Sequence, residues 1–331
     1  HGASLRADGE VAQLCPTTNH QWILFFTNMG RVYRTKVWQL PEASRDARGG
    51  HVAGLLSFLP EEHITRVMTL RSYDDAKYLL LATRAGLVKK TQLTAYDSSR
   101  QAGVIAINFR TDDDELIGAE LCGPDDDVLL ISRKGQAIRF GADDEQLRPM
   151  GRATSGVTGM KFRGDDELLS MSVIEAGTDE DERFVFTATD GGYAKRTLVS
   201  EYRRQGRGGL GIKAMALSED RGSLVGGLVV QEADEVIAIR TSGQLTRSAV
   251  AEVPVKGRST MGVKFVNVRG KDAVSIIALN PEHEEPDDPQ PGHDEVRGTT
   301  QGGGSEARDG ASDEDASTDE DTAGTVVSDE A

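Results

Sequence analysis

The chain of 331 residues has little of what a membrane protein, a disulfide-stabilised fold or a metalloprotein requires. No stretch approaches the roughly 18 consecutive apolar residues of a transmembrane helix, and no signal peptide is recognisable. The two cysteines, Cys15 and Cys122, are isolated, which favours a reducing compartment. The six histidines are scattered, which argues against a Cys/His metal site. We expect a cytoplasmic chain without a membrane partner. Because it opens on His1, we expect its N-terminus to be incomplete.

Motifs of common enzyme chemistries are also missing. The sequence contains no G-x-x-x-x-G-K-[ST], G-x-S-x-G or H-E-x-x-H. Adjacent acids such as Asp112 and Asp113 lie in charged runs that are typical of solvated loops. Gly206, Gly208 and Gly211 match the dinucleotide fingerprint G-x-G-x-x-G, but no helical pattern follows them. We expect no catalytic residue, no metal site and no cofactor bound to this chain.

The excess of acid is confined to the end of the chain. The formal net charge is −16, which by itself disfavours a nucleic-acid partner because like charges repel. Residues 282–331, however, hold 17 acids and two arginines, so this segment carries −15 and residues 1–281 carry −1. The segment lacks aromatic residues, Leu, Ile and Met, and it cannot bury enough apolar surface to offset chain entropy. We predict a disordered acidic tail over 282–331.

A hairpin-like motif recurs five times in the body of the chain. Each copy contains a polar turn ending in glycine and a basic residue four positions later, as in TRAGLVKK (83–90) and TDGGYAKR (189–196). An apolar run precedes the turn, and alternating residues follow it. The turn glycines are Gly30, Gly86, Gly135, Gly192 and Gly243. This pattern predicts a β-hairpin in every copy.

A second motif, here called the arginine motif, follows each turn glycine by 14 to 18 residues. It is an arginine followed shortly by glycine and an apolar residue. Its arginines are Arg48, Arg100, Arg152, Arg207 and Arg258. The two motifs recur with the same period, and further apolar runs lie at 64–70, 116–121, 168–174 and 224–230. Together they predict five units of about 50 residues, each with about four short strands.

Four-stranded units repeated radially form a propeller-like disc. We therefore predict an all-β fold, with a five-unit repeated domain over 21–281 and the end of an earlier, truncated unit over 1–20. Closing such a ring usually takes more than five units of this length, which favours six in the parent protein.

The repeated basic residues predict a belt that contacts DNA. They are Arg34, Lys90, Arg139, Arg196 and Arg247, with Lys89 and Lys195 one position earlier. Because the units repeat around a disc, we expect these side chains at one height on its rim. A periodic basic belt there suits a bent duplex held by its phosphates. The alternative is that exposed hairpins carry Lys and Arg to protect sheet edges and aid solubility.

The arginine motif is richest in glycine in the fourth unit, at QGRGGLG (205–211). Glycines let a loop approach a phosphodiester closely and expose backbone N–H groups to it, while arginines supply charge. The predicted DNA-binding residues here are Arg203, Arg204, Gln205, Arg207, Gly208, Gly209 and Gly211, with Arg258 in the next unit. The alternative is a tight turn between blades, which explains the glycines without a ligand.

The repeat resembles the C-terminal domain of the A subunit of bacterial DNA gyrase. The resemblance covers essentially residues 2–281 and is carried by both motifs in order, including GRVYRTK (30–36) and LRPMGRATSGVTGM (147–160). It implies a six-bladed β-pinwheel, a propeller variant that exchanges hairpins between blades, with five blades complete here.

The family's wrapping box reads Gln-basic-Arg-Gly-Gly-basic-Gly. Gln205, Arg207, Gly208, Gly209 and Gly211 match it, whereas Gly206 and Leu210 occupy positions that are usually basic. In the family the principal box lies in the first blade, and by resemblance this chain begins just after it.

The resemblance implies a domain that wraps double-stranded DNA around a basic rim, so that the parent enzyme introduces negative supercoils. That enzyme is an ATP-dependent type IIA topoisomerase, which contains two gyrase A and two gyrase B subunits. Its DNA-cleaving tyrosine lies in another domain, and ATP and Mg bind elsewhere. This chain alone is therefore expected to be inactive.

Two other hypotheses stay open from the sequence. One is the equivalent domain of topoisomerase IV, whose box is degenerate. The other is a propeller that serves as a protein-interaction scaffold. The acidic tail is expected to compete with DNA for the basic rim at high effective concentration, and the alternative is a passive, solubilising tail.

Overall fold

The structure is a computed structural model that describes residues 18–40, 55–100 and 102–280. The strands are β1 (Trp22–Thr27), β2 (Arg31–Lys36), β3 (Ile64–Leu70), β4 (Tyr78–Thr83), β5 (Leu87–Gln92), β6 (Val104–Ile105), β7 (Leu116–Cys122), β8 (Asp127–Ser132), β9 (Gln136–Gly141), β10 (Val157–Thr158), β11 (Leu168–Ile174), β12 (Arg183–Thr189), β13 (Tyr193–Leu198), β14 (Ile212–Lys213), β15 (Leu224–Gln231), β16 (Glu235–Arg240), β17 (Leu245–Ala249), β18 (Val263–Lys264) and β19 (Val274–Leu279). Short 3₁₀ helices span Val37–Gln39, Leu93–Tyr96, Val199–Glu201 and Val250–Glu252. The predicted tail and nearly all of the predicted truncated unit lie outside the described residues.

The strands form five antiparallel sheets, which we number as blades 1 to 5. The strand orders are β3-β1-β2-β6, β7-β4-β5-β10, β11-β8-β9-β14, β15-β12-β13-β18 and β19-β16-β17. The predicted all-β, propeller-like class is confirmed. Each predicted glycine turn joins the two central strands in blades 1 to 4, and it joins β16 to β17 in blade 5.

The hairpins form where the sequence predicts them because their turns need glycine. Gly192, between β12 and β13, has φ of 79°, a left-handed conformation that L side chains rarely adopt. A Cβ atom on Gly192 would lie 2.1 Å from the carbonyl oxygen of Val266. The strand residues on either side alternate between the two faces of the sheet and are buried on both faces in blades 2 and 3.

Blades 1 to 4 each take their outer strand from the following unit. β6, β10, β14 and β18 each follow an arginine motif and pair with the hairpin of the preceding blade. Directly after the outer strand, a backbone N–H donates a hydrogen bond to the carbonyl of the turn glycine of the same blade. In blade 1 the Ala106 N–H donates to the Gly30 carbonyl at 2.7 Å. Blade 5 has three strands because no further unit within the described residues supplies β17 with a partner.

The hydrophobic core lies between consecutive blades. The inner strands β3, β7, β11, β15 and β19 contact one another in that order. Between them lie clusters such as the one that joins Leu80 and Val88 of blade 2 to Leu130 and Phe140 of blade 3. The strand order places each outer strand at the edge of its sheet that is farthest from the inner strand.

Candidate nucleic-acid interface

The fourth residue after each turn glycine, predicted to form an exposed basic belt, is mostly buried. Lys90 is fully buried, and Arg139 and Arg196 are 7% and 6% exposed. Arg34 is half-buried, and Arg247 in blade 5 is exposed. The expectation of an exposed belt is therefore wrong for Lys90, Arg139 and Arg196.

These cations are buried because acids from distant loops neutralise them. The ion pairs are Arg34–Asp97 at 2.5 Å, Lys90–Asp144 at 2.9 Å, Arg139–Glu180 at 2.5 Å and Arg196–Glu232 at 2.9 Å. The hydrogen bonds from Lys90 and Arg139 hold the pKa values of their acidic partners below the usual range. The basic residue at the fourth position after the turn glycine therefore holds a loop against the hairpin. The spacing of the motif alone does not distinguish this structural role from phosphate binding.

The lysines at the third position, Lys89 and Lys195, are fully buried as well. Lys195 Nζ donates to the carbonyl oxygens of Gly257 and Arg258 at 2.8 and 2.5 Å. Burial lowers the pKa of Lys89 to about 7 and that of Lys195 to about 8. The predicted exposure of these two lysines is therefore also wrong.

Three arginines of the second motif, Arg152, Arg207 and Arg258, hold neighbouring outer strands together. Their Nη1 atoms donate to the carbonyl of the last residue of the preceding outer strand. The pairs are Arg152 to Ile105, Arg207 to Thr158 at 2.5 Å and Arg258 to Lys213 at 2.9 Å. Arg207 also donates through Nε to the Gln146 carbonyl at 2.7 Å. These partly buried guanidinium groups act first as clamps between blades.

The glycines of the QGRGGLG loop serve mainly to bring two backbones together. The Gly208 N–H donates to the Gly159 carbonyl at 2.8 Å, and the Lys161 N–H donates to the Gly209 carbonyl at 2.9 Å. Gly211 has φ of 74°, and a Cβ atom there would lie 2.3 Å from the Ala137 carbonyl oxygen. This geometry supports the alternative of a tight turn between blades.

The same loop does not have the context of a dinucleotide site. After Gly211 the chain continues into β14 and not into a helix, so the fingerprint lacks the helix that would face a pyrophosphate. The Gln205 N–H donates to the Arg139 carbonyl at 2.8 Å.

The two arginines before the loop differ in their pairing. Both Arg203 and Arg204 are exposed. Arg204 forms ion pairs with Asp127 at 3.1 Å and with Asp143 at 2.7 Å. Arg204 is therefore partly neutralised by the protein.

A basic groove of about 540 Å³ lies at the periphery beside the QGRGGLG loop. Its charged lining consists of Lys134, Lys161, Arg163, Lys213, Arg258 and Asp166. Three units contribute. The third supplies its hairpin turn and the segment that follows β10, the fourth supplies β14, and the fifth supplies Arg258. Lys161, Arg163 and Lys213 are exposed, so the groove presents a net positive surface.

Sequence reasoning missed most of this groove, because only Gly211 and Arg258 of its lining were among the predicted residues. The exposed cations at this surface recur at fixed positions in the repeat, and this recurrence could have revealed them. A glycine directly precedes each outer strand, as at Gly103, Gly156 and Gly262. Seven residues after these glycines lie the exposed arginines Arg110, Arg163 and Arg269. The second residue after the glycine is an exposed lysine at Lys213 and Lys264. These side chains form a peripheral basic set distinct from the buried cations of the hairpins.

The groove suits the binding of phosphate anions better than catalysis. Exposed ammonium and guanidinium groups supply charge and hydrogen-bond donors to phosphate oxygens. Within the described ranges no three His, Cys, Asp or Glu residues group as metal ligands. No helix of that part of the chain is long and apolar enough to cross a membrane.

Comparison with known proteins identifies relatives for this fold and repeat. The family described as the DNA gyrase C-terminal domain, beta-propeller, matches residues 21–69, 77–122, 126–175, 183–231 and 234–280. The A subunit of DNA gyrase from Nocardioides sp. is 58% identical over 308 residues, covering 85% of this chain and 33% of the relative. Its counterpart from Streptomyces coelicolor is 60% identical over 285 residues, with the same coverage. The chain thus spans about a third of these relatives.

Solved structures agree on the fold. The C-terminal domain of DNA topoisomerase IV aligns with a TM-score of 0.70 and 23% identity, covering 79% of each chain. A DNA gyrase A C-terminal domain aligns with a TM-score of 0.68 and 22% identity, covering 84% of this chain and 92% of that structure. At these identities the structures show the fold alone, while the sequence relatives decide between the two enzymes. The chain belongs to the family of DNA gyrase C-terminal β-propeller domains.

Proposed function

We propose that this chain is the DNA-binding and DNA-wrapping part of the gyrase A protein. The basic groove carries the proposal, because Lys161, Arg163 and Lys213 are exposed cations brought together from two units at the rim. Such a surface binds duplex DNA through its phosphates without reading bases.

Exposed cations in the other units extend the proposed path around the rim. Arg110, Lys264 and Arg269 occupy equivalent positions in other units. A repeated arrangement of this kind holds a bent duplex, which is the requirement for wrapping. Of the first predicted set, Arg34, Arg203, Arg204, Gln205, Arg207, Gly208, Gly209, Gly211, Arg247 and Arg258 stay proposed contacts.

The proposed setting is the cytoplasm, in an assembly that contains two gyrase A and two gyrase B subunits. ATP hydrolysis and DNA cleavage would take place in other domains, and this chain would supply the bound and bent DNA. The proposal rests on the named relatives, whose length exceeds that of this chain by about threefold.

A salt titration of duplex binding tests the groove. For the full chain, log K should fall linearly with log salt concentration, and each lost phosphate contact should reduce the slope by about 0.9. Lys161→Gln, Arg163→Gln and Lys213→Gln together should therefore reduce the slope by about 2 to 3.

Arg71→Gln is the matched control. Arg71 is exposed and follows β3 at the ends of the strands opposite the hairpin turns, as the pairing of Trp22 with Leu70 shows. It should leave the slope unchanged. An equal slope for the triple variant and the wild type would refute the groove as a binding site. Absence of duplex binding by the wild type would favour a protein-interaction scaffold.

A further inference from the structure

Two hairpins carry a lysine where the others carry a different residue. The third position after the turn glycine is Lys89 in blade 2 and Lys195 in blade 4, and it is Tyr33, Ile138 and Thr246 elsewhere. Both lysine side chains are completely buried, which is rare for lysine and calls for specific partners.

The partners are backbone carbonyls of loops that belong to the arginine motifs. Lys89 Nζ donates to the carbonyls of Ala106 and Arg152. Lys195 Nζ donates to those of Gly257 and Arg258. In each case the buried lysine of one unit holds the motif arginine of the following unit by its backbone.

The side chain of the same arginine then reaches the preceding blade. Arg258 donates through Nη1 to the carbonyl of Lys213, which ends β14 in blade 3. Arg258 and Lys213 both line the basic groove. Lys195 is therefore linked to the groove through a single residue, and Lys89 is linked to β6 through Arg152 in the same manner.

Burial is what opposes protonation of both amines, and neighbouring charges modify its effect. The charged group that acts on Lys89 is Arg152, while the neutral phenol of Tyr96 donates to the same Ala106 carbonyl at 3.1 Å. Around Lys195, Glu201 favours protonation more strongly than Arg258 opposes it, and Glu201 also accepts a hydrogen bond from the Arg258 N–H at 3.2 Å. Each Nζ has two carbonyl acceptors, which two N–H bonds of a neutral amine satisfy.

We propose that Lys89 and Lys195 are positioning residues that hold the arginine motifs at the rim, and that they take up protons when duplex DNA binds there. This inference rests on the proposed DNA-binding function. The phosphates of a bound duplex add negative potential beside Arg258 and so stabilise the ammonium form of Lys195. By linkage, a group that gains protons on binding makes the affinity fall as the pH rises through its free pKa.

The first test uses the wild-type chain and needs no variant to fold. In NMR spectra of the chain with ¹³C-labelled lysine, two ε-methylene signals should titrate near pH 7 and 8, the values that burial gives Lys89 and Lys195. Lys89→Met and Lys195→Met should each remove one signal. A duplex should move both midpoints to higher pH. Titration of every lysine near 10.5 would overturn the proposal.

The second test measures the effect on binding. Loss of the two hydrogen bonds in Lys195→Met should weaken duplex binding by about threefold to tenfold. The salt slope should stay as in the wild type, because Lys195 contacts no phosphate. Calorimetry at pH 8 in phosphate and Tris buffers should show proton uptake in the wild type and less in the variant.

Lys161→Met is the matched control, since it should reduce the salt slope by about 0.9 and leave proton uptake unchanged. Equal affinity and equal proton uptake in wild type and Lys195→Met would refute the positioning role. If the wild type binds no duplex, the proposed function fails. Amide exchange of residues 256–260 then decides the positioning role, with faster exchange expected in Lys195→Met and equal exchange contradicting it.

Discussion

Arg139 offers a direct test of the conclusion that the repeated hairpin cations are structural. Its Nε donates to Asp127 at 2.8 Å, and its two Nη atoms contact Glu180 at 2.5 and 3.0 Å. Nη1 also donates to the Tyr202 carbonyl at 3.2 Å. The side chain is 8% exposed. Arg139→Met keeps much of the apolar volume of the side chain and removes all of these bonds.

The expected cost follows from what remains after the substitution. Removing one partner of a buried ion pair costs about 3–5 kcal/mol because it leaves an uncompensated charge. Asp127 keeps Arg204 as a partner at 3.1 Å, and the Glu180 side chain is 40% exposed and can turn to solvent. We therefore expect the lower end, about 3 kcal/mol. For a domain of this size, that corresponds to a fall in melting temperature of roughly 6–12 °C.

The assay is thermal and urea denaturation of the full chain, with duplex binding measured well below the melting temperature. Arg247→Met, at the same repeat position but exposed, is the control and should cost less than about 1 kcal/mol. The salt slope of Arg139→Met should match that of the wild type. An unchanged melting temperature with a salt slope lower by about 0.9 would refute the reasoning, because it would make Arg139 a phosphate contact.

Four further predictions concern the turn, the buried lysines, the thiol and the tail. Gly192→Ala should destabilise the chain by about 3 kcal/mol or more in urea denaturation. Gly164 has φ of 61° and open space around it, so Gly164→Ala should cost only about 1 kcal/mol. Equal losses of stability would contradict the argument from the close contact at Gly192. Burial lowers the pKa of Lys89 to about 7, so above that pH the unfolded chain binds more protons than the folded chain. The free energy of unfolding should therefore rise from about pH 7 to 10, and it should rise less in Lys89→Met. A fall in wild-type stability over this pH range would refute the prediction. Burial also raises the pKa of Cys122 to about 12, so iodoacetamide at pH 8 should modify it only after denaturation, as mass spectrometry will show. Removing residues 282–331 should tighten duplex binding and flatten its salt dependence, and unchanged affinity at low salt would refute competition by the tail.

The hairpins were predictable because their determinants are local. A glycine such as Gly86, with φ of 84°, marks the turn, and the inner strands are long enough for an apolar run to reveal them. The predicted segments 64–70 and 168–174 are β3 and β11 at the same bounds. The outer strands contain two residues each, which is too short for a periodicity to appear.

The role of the basic residues was not predictable from spacing alone. Whether Arg196 is exposed depends on Glu232, which lies 36 residues away in sequence, and on the ring of Phe184. The groove was not predictable for a related reason, since Lys134, Lys161 and Lys213 come from separate hairpins and loops that only the exchange of outer strands brings together. The sequence supports a charge-balanced repeat body, and burial decides which of its cations are available to a ligand.

The central claim, that this chain bends duplex DNA around its basic rim, is tested most directly by topology. A relaxed circular plasmid is incubated with increasing amounts of the full chain, treated with a nicking-closing topoisomerase and deproteinised. The account predicts a shift in linking number of one sign that grows with the amount of protein, and a smaller shift for the variant with Lys161, Arg163 and Lys213 changed to Gln. An unshifted topoisomer distribution under conditions where the chain is bound to the plasmid would contradict it.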